Sequence, residues 1–262
     1  MRKILTVLLA AGITPAFAAT TESSTSSTKY SAFQEYDREY NVGYGVTSGN
    51  LSNGSGGAVN NSQYLNLELE RLFNVGVWLD VNASLVSYYS QAADPAAGPG
   101  GITTGSQPSF GGVNVKVGYA FPLITDSLML TPYALGGRNT NFASYTLAAT
   151  PSTTNLTSDY YWSGGVGARL EYRLNSVFDF YADQSAVYNA SQAPTTQGLA
   201  VNDNYAYTST LGAKFNLYRN FQLGAQAFYN DYYYTQALVT STGVALVPQS
   251  SVGGLISVGL SY

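Results

Sequence analysis

The chain has 262 residues with no Cys and no His, and only 10% of its residues are charged. Without these two residue types, imidazole acid–base catalysis, disulfides, thiolate metal sites, cysteine nucleophiles and a cysteine lipid anchor are excluded. The low content of charged residues, together with 27 Gly and 23 Tyr, favours β structure in an unusual solvent, and the formal net charge is −4. An acidic chain without a basic run argues against nucleic-acid binding.

The first residues have the three parts of a signal peptide. Arg2 and Lys3 give a positive start, an apolar run covers 4–11, and Ala16-Phe17-Ala18 forms an A-x-A cleavage site. We predict a cleaved signal peptide at residues 1–18 and a flexible, Ser/Thr-rich periplasmic lead-in at 19–37. The competing interpretation of residues 1–18 is a buried N-terminal helix. No later apolar stretch approaches the roughly 20 residues that a membrane-spanning helix needs.

From about residue 38, apolar and polar residues alternate, which is typical of a strand with one apolar and one polar face. Pro132 makes one of these stretches irregular, because proline cannot donate to a strand ladder. The predicted strands are 38–48, 62–72, 77–87, 109–121, 128–138, 166–174, 178–183, 210–217, 221–227 and 252–262.

The links between these strands alternate in length. Short links fall at 72–76, 122–127, 175–176 and 218–220, and long ones near 49–61, 89–108, 139–157, 189–203 and 233–250. Short periplasmic turns and longer outer loops are typical of transmembrane β-barrels. We therefore predict an all-β protein: a closed antiparallel transmembrane β-barrel over 38–262, with about ten strands and five extracellular loops. Eight strands remain the alternative if 38–48 or 128–138 lies outside the barrel.

Every charged residue that can be placed within a well-defined strand core lies on the polar face, and the apolar faces of the strands are unbroken there. This pattern fits a barrel with lipid outside and a polar lumen, which also satisfies every backbone hydrogen bond in the bilayer. Aromatic residues gather at both strand ends, as in the two interfacial belts of membrane proteins. The inward charged residues are Glu68, Glu70, Asp80, Lys116, Arg169, Glu171, Arg173, Asp179, Asp183 and Lys214.

Three segments carry a family resemblance: the signal peptide, the stretch Val117-Gly-Tyr-Ala-Phe-Pro122 leading to Leu130-Thr-Pro-Tyr133, and the terminal strand Ile256-Ser-Val-Gly-Leu-Ser-Tyr262. On these the chain resembles the small bacterial outer-membrane barrels of OmpX, Opa and OmpA-transmembrane-domain type. In that superfamily the barrel-assembly machinery reads a final aromatic residue preceded by alternating apolar residues. Tyr262, Leu260, Val258 and Ile256 match this signal, although Phe is the more usual last residue.

The resemblance implies a place in the Gram-negative outer membrane, with lipid, lipopolysaccharide and the assembly machinery as partners. The barrel enzymes of this membrane use a His, which this chain lacks. Asp179 and Asp183 share a face, but four strand residues span about 13 Å, too far for a glycosidase carboxylate pair. We predict no catalysis, no cofactor and no metal.

Six inward acids and four inward bases favour a salt-bridge layer near the periplasmic mouth, a possible gate. Above it the inward residues are small and polar. If this layer closes the bore, the protein has a structural or surface-recognition (adhesin-like) role through its extracellular loops, for a ligand that the sequence does not name. If the layer leaves a gap, the protein is a narrow porin-like channel for small hydrophilic solutes.

Overall fold

The computed structural model describes residues 30–34, 36–52, 57–93, 103–105, 109–124, 126–146, 154–192, 204–218, 220–234, 239–240, 243–244 and 247–261. One four-residue helix, α1 (Ser31–Gln34), precedes the strands. No helix in these ranges is long and apolar enough to cross a membrane. The long strands are β1 (Arg38–Ser52), β2 (Gly57–Leu72), β3 (Val77–Ala93), β4 (Ser109–Tyr119), β5 (Leu128–Thr146), β6 (Thr154–Arg173), β7 (Phe178–Gln192), β8 (Asn204–Tyr218), β9 (Phe221–Tyr234) and β10 (Val247–Ser261). Short strands cover Thr103–Gly105, Phe121–Ile124, Val239–Thr240 and Gly243–Val244.

The ten long strands form a closed antiparallel barrel in which each strand pairs with its neighbours in sequence. The first and last strands close it, with Val42 of β1 opposite Val258 of β10. This closure confirms the prediction of ten strands, since both 38–48 and 128–138 take part. It leaves the long strands without an unpaired edge, as a bilayer requires.

Pro132 marks a break in the pairing of β5. The ladder between β4 and β5 ends at Tyr133 and resumes at Leu130, opposite the short strand Phe121–Ile124. In the gap, the backbone N–H of Ala120 donates to the carbonyl oxygen of Gly76 at 2.8 Å. Proline has no backbone N–H to donate, and Pro132 lies where β5 has no ladder partner on this side. The strand β5 therefore continues past the proline without losing a hydrogen bond.

The strands run further toward the loop side than the alternation indicates. Residues 49–52, 57–61, 139–146 and 154–157, expected in long links, belong to strands, and β6 alone has 20 residues. A tilted strand crosses the hydrocarbon with only about 9–11 residues. Beyond the hydrocarbon neither face must be apolar, so the sequence loses its alternation while backbone pairing continues.

The outward face carries the apolar residues. Leu211, Ile256 and Val166 are 67%, 69% and 64% exposed, and this exposed surface is what a bilayer would cover. Exposed aromatic side chains occur at both ends of the strands: Tyr119, Phe121 and Tyr172 near the turns, and Trp162, Tyr188, Tyr205, Tyr207 and Tyr233 near the loops.

Two aromatic residues expected in the loop-side belt face the lumen instead. Tyr161 of β6 and Tyr232 of β9 line the internal cavity. Tyr161 precedes the outward residue Trp162, and Tyr232 precedes the outward residue Tyr233. Adjacent residues of a strand point to opposite faces. A run of consecutive aromatic residues therefore supplies both the belt and the lumen.

An arginine in place of Leu211 tests which solvent surrounds the barrel. Leu211 lies in the middle of β8 and points outward, so Leu211→Arg is expected to lower the free energy of unfolding in lipid vesicles by about 2–4 kcal/mol. Tyr218→Arg, at the turn-side end of the same strand and also exposed, is expected to cost about 0–1 kcal/mol. Equal costs for the two variants in a urea titration would contradict a lipid-facing surface.

Candidate functional site: the lumen

The chain just before β1 is folded into the turn-side end of the barrel. Tyr30, Phe33 and Tyr36 are at most 1% exposed. The Tyr30 hydroxyl donates to the carbonyl of Ala120 at 3.2 Å, and the Tyr36 hydroxyl donates to the carbonyl of Asn175 at 2.7 Å. We call residues 30–37, apart from residue 35, the plug segment. The sequence predicts a flexible lead-in at 19–37, whereas the structure shows the plug segment packed against the turns.

An apolar cluster holds the plug segment in place. Tyr30, Ala32 and Phe33 pack against lumen-facing residues of the barrel: Leu72, Trp78, Ala120, Met129 and Tyr133. Burying a large aromatic side chain contributes roughly 1.5–3 kcal/mol. The spacing of three between Tyr30, Phe33 and Tyr36 is the sequence signal that could have predicted one buried face, as on a short helix.

Gly76 lets the β2–β3 turn approach the plug segment. Its φ is +88°, in the left-handed region that only glycine adopts without strain. A Cβ at this position would also meet the hydroxyl of Tyr30. The backbone of the turn therefore lies directly against the plug segment.

Lys214 connects the plug segment to the barrel wall. Its ammonium lies 3.0 Å from Asp37 Oδ1, 3.0 Å from Glu39 Oε1 and 2.6 Å from Glu70 Oε2. It also donates to the carbonyl of Tyr36 at 3.1 Å. All of these groups are buried, so water screens the attraction little.

Arg169 occupies the centre of the same layer. Its guanidinium lies 2.6 Å from Glu70 Oε1 and 3.3 Å from Glu171 Oε2, and it stacks 4.2 Å from the ring centroid of Tyr181. A contact of 3.8 Å to Asp37 joins it to the plug segment. The two carboxylate oxygens of Glu70 therefore contact different buried cations, Oε1 contacting Arg169 and Oε2 contacting Lys214.

Lys116 forms the upper edge of the layer. Its ammonium lies 3.2 Å from Asp80 and 3.4 Å from Asp183, and the Tyr133 hydroxyl donates to Asp183. The Lys116 side chain is 27% exposed, whereas those of its two partners are nearly buried. It therefore faces the open part of the lumen.

The structure places all ten sequence-predicted charged residues on the lumen side of their strands. Glu70, Asp80, Arg169, Glu171, Asp179, Asp183 and Lys214 are buried, and Glu68, Lys116 and Arg173 are half-buried. The sequence analysis missed Asp37 and Glu39, both fully buried here. The alternation of Glu39 with the outward Tyr40 is the sequence signal that could have placed Glu39 on the lumen face. Asp37 precedes the strand and is buried because the plug segment folds into the barrel.

Three of the four predicted assembly-signal residues lie on the outward face of β10. Ile256, Val258 and Leu260 are exposed, and Tyr262 lies outside the described residues.

Burial raises the pKa of Asp37 to about 6 from an ordinary value of 3.8, and the nearby Glu70 carboxylate adds to this rise. The cations Lys214 and Arg169 oppose it. A carboxyl whose pKa is raised by folding stabilises the folded state fully below pH 3.8, and this contribution is lost as the pH rises to 6.

Asp37→Asn is therefore expected to flatten the pH dependence of stability between about pH 4 and 6. The window carries at most about 3 kcal/mol, since one pKa unit corresponds to about 1.4 kcal/mol. Urea unfolding of the wild type and of the variant, at several pH values across this window, measures the difference. A wild type that gained stability relative to Asp37→Asn as the pH rose would contradict this assignment.

Above the charged layer the lumen widens into a polar cavity of about 470 Å³. Amide and hydroxyl side chains link neighbouring strands around its wall. Asn114 and Asn139 exchange two hydrogen bonds, Asn139 donates to Ser163 at 2.9 Å, and Ser163 donates to Asn189 at 2.8 Å. This belt fixes the wall of the cavity across four strands.

Tyrosine rings lie across glycines inside the barrel. Tyr64 covers Gly45, and Tyr181 covers Gly212, each its direct cross-strand partner. A Cβ at either glycine would overlap the ring. The Tyr181 hydroxyl donates to Gln226 at 2.7 Å, so its ring extends over two strands and forms part of the cavity floor. Sequence alternation alone could not predict this direction.

The site offers no arrangement for metal chemistry in the part of the chain that the structure describes. Within those ranges no group of three or more Asp or Glu side chains is arranged to hold a metal ion. Six buried carboxylates lie against Lys or Arg and act as partners of cations: Asp37, Glu39, Glu70, Asp80, Glu171 and Asp183.

A scan of protein-family models and a search of curated proteins gave no match. Solved structures with a similar fold include the β domain of the Bordetella autotransporter BrkA, at 12% identity over 86% of this chain and 100% of that one, TM-score 0.49. The translocator domain of the autotransporter NalP from Neisseria meningitidis matches at 10% identity over 98% and 96%, TM-score 0.49. The outer-membrane protease OmpT from Escherichia coli matches at 10% over 87% and 98%, TM-score 0.43. These likenesses concern the fold alone.

Proposed function

We propose that the protein is an integral barrel of the Gram-negative outer membrane with a non-enzymatic, structural or surface-recognition role. The exposed apolar band between two aromatic girdles supports insertion into a bilayer. The short turns at the plug end support a periplasmic position for that end, as in outer-membrane barrels generally. The absence of His and Cys from the sequence supports a role without cysteine-thiolate or imidazole catalysis.

One observation carries the closed-barrel role: the turn-side half of the lumen is filled. Phe33, Tyr36, Asp37 and Trp78 are each 0% exposed. Above them Lys214 and Arg169 tie the plug segment to three strands through Asp37 and Glu70. A solute entering from the loop side would meet paired charges and then an apolar cluster.

The partners proposed with this role are those of an outer-membrane barrel. Lipid and lipopolysaccharide would cover the apolar band, and the barrel-assembly machinery would read the outward residues Ile256, Val258 and Leu260 together with Tyr262. An extracellular ligand would meet the protein on the loop side.

The second candidate is the narrow channel, and the polar cavity on the loop side favours it. Planar-bilayer recording separates the two functions. A chain that begins at residue 19 is expected to insert without stepwise conductance, whereas a chain that begins at residue 38 lacks the plug segment and is expected to open more often. Stepwise openings of the longer chain that shift when Arg169 or Asp179 is neutralised would replace the closed-barrel role with that of a channel.

A further inference from the structure

The cavity above the charged layer has the size of a ligand site. Its volume of about 470 Å³ lies in the roughly 300–1,000 Å³ range of small-molecule pockets. The residues at its floor include Lys116, Arg169 and Tyr181, which belong to the layer that blocks the turn side. A molecule held here would reach it from the loop side.

The cavity wall consists largely of amide, hydroxyl and tyrosine side chains. Asn82, Asn189, Thr208, Gln226 and Tyr64 represent this lining. Amides both donate and accept hydrogen bonds, and hydroxyl groups do the same. Tyrosine rings add apolar faces with a polar tip. This combination suits a molecule that carries many hydroxyl groups on a compact ring.

Apart from Nε and Nη2 of Arg169, which lie in ion pairs, two deeply buried polar atoms of the lining have no hydrogen-bond partner in the protein. These are Nδ2 of Asn66 and Oδ1 of Asp80, whose residues are each 3% exposed. A buried polar group without a partner costs free energy. One atom is a donor and the other an acceptor, and they belong to the paired strands β2 and β3. A hydroxyl group can satisfy either.

Each cation at the cavity is paired with a carboxylate, which argues against an anionic ligand. Lys116 lies between Asp80 and Asp183, and Arg169 lies against Glu70. Glu68 accepts a hydrogen bond from Asn41 at 3.3 Å. No lining cation among the described residues lacks a carboxylate partner, so an anion would meet no uncompensated positive charge.

We propose that this cavity binds a small neutral sugar, a mono- or disaccharide, through Asn66 and the surrounding amide and tyrosine side chains. The proposal deepens the surface-recognition role and rests on the closed lumen. The site lies inside the barrel and is separate from any contact made by the extracellular loops.

Calorimetric titration of the refolded barrel with glucose, maltose and sucrose tests the proposal, with glucuronate as the anionic comparison. At least one neutral sugar is expected to bind saturably and more tightly than glucuronate. Asn66→Leu removes the donor with little change in size, and it is expected to weaken that binding at least tenfold. The matched control is Asn61→Leu, on the exposed outward face of the same strand, which is expected to bind like the wild type.

No binding of any of the three sugars by a folded barrel would overturn the proposal, as would preference for glucuronate or equal weakening by Asn66→Leu and Asn61→Leu. The bilayer recording separates this failure from that of the closed lumen. A silent barrel that binds none of the sugars refutes only the sugar site. A conducting barrel refutes the closed lumen, and with it the role on which the sugar site rests, even where a sugar reduces the current.

Discussion

Lys214→Met is expected to lower the free energy of unfolding by about 3–5 kcal/mol at neutral pH. The substitution removes the ammonium that lies within 3.0 Å of Asp37, Glu39 and Glu70, and it leaves these buried carboxylates facing one another. Breaking a buried ion pair from one side costs far more than the pair contributes when intact, because the remaining charge has lost its compensation. Urea titration of the barrel in detergent or lipid vesicles measures the change.

Two comparisons make the Lys214→Met result specific. Arg138→Met removes an exposed cation on the loop side, and it is expected to cost less than about 1 kcal/mol. At acidic pH, where carboxylates take up protons, the penalty of Lys214→Met is expected to shrink, because neutral carboxyl groups need no cation. A penalty that is the same at acidic and neutral pH would show that lost packing, and not lost charge, is responsible.

Phe33→Ala is expected to release the plug segment while the barrel stays folded. Phe33 is 0% exposed within the apolar cluster, and truncating a buried Phe costs about 3–5 kcal/mol. The loss acts first on the docking of the plug segment, because the strand ladder of the barrel does not depend on it. The population of the undocked state should then rise at least about a hundredfold, since 1.4 kcal/mol corresponds to a factor of ten.

Limited proteolysis with chymotrypsin reports this release, because Tyr30 and Tyr36 are cleavage sites that are buried when the plug segment is docked. Cleavage at these residues is expected to accelerate by about the same factor as the undocked population. Ser31→Ala, at the exposed position of α1, is the control and is expected to be cleaved at the wild-type rate. If Phe33→Ala also resisted cleavage, the apolar cluster would not be what holds the segment.

The strand pattern of this chain was predictable because a bilayer imposes a simple rule. Every lipid-facing position must be apolar, and strand residues alternate between faces. Residues such as Val42, Leu211 and Val258 therefore reveal the ten strands, and Glu70, Arg169 and Lys214 reveal the lumen face. Toward the loop side the rule no longer applies, which is why the predicted strands β1, β2, β5 and β6 stop several residues short of their loop-side ends in the structure.

The partners of the lumen charges were not predictable from alternation. It places Glu70 and Arg169 on the same side of their strands, but their 2.6 Å contact joins β2 to β6 across the bore. Such pairs depend on which strands face one another across the closed barrel. They also depend on the glycines that leave room for tyrosine rings beside the charged side chains. Gly212, for example, allows Tyr181 to lie beneath the cavity and against Arg169.

By itself the sequence determined the lipid surroundings of the outward face, the fold class and the ten inward charges. Each of these follows from the alternation of apolar and polar residues along a strand. Only the tertiary structure decided that the plug segment packs into the turn-side end of the lumen and that a polar cavity lies on the loop side. The plug segment has no strand period, and its burial depends on an apolar cluster assembled from Leu72, Trp78, Ala120, Met129 and Tyr133. Leu72 and Trp78 oppose each other in one hairpin, whereas the other three residues belong to the next turn and strand, so the cluster exists only once these strands and the plug segment have come together.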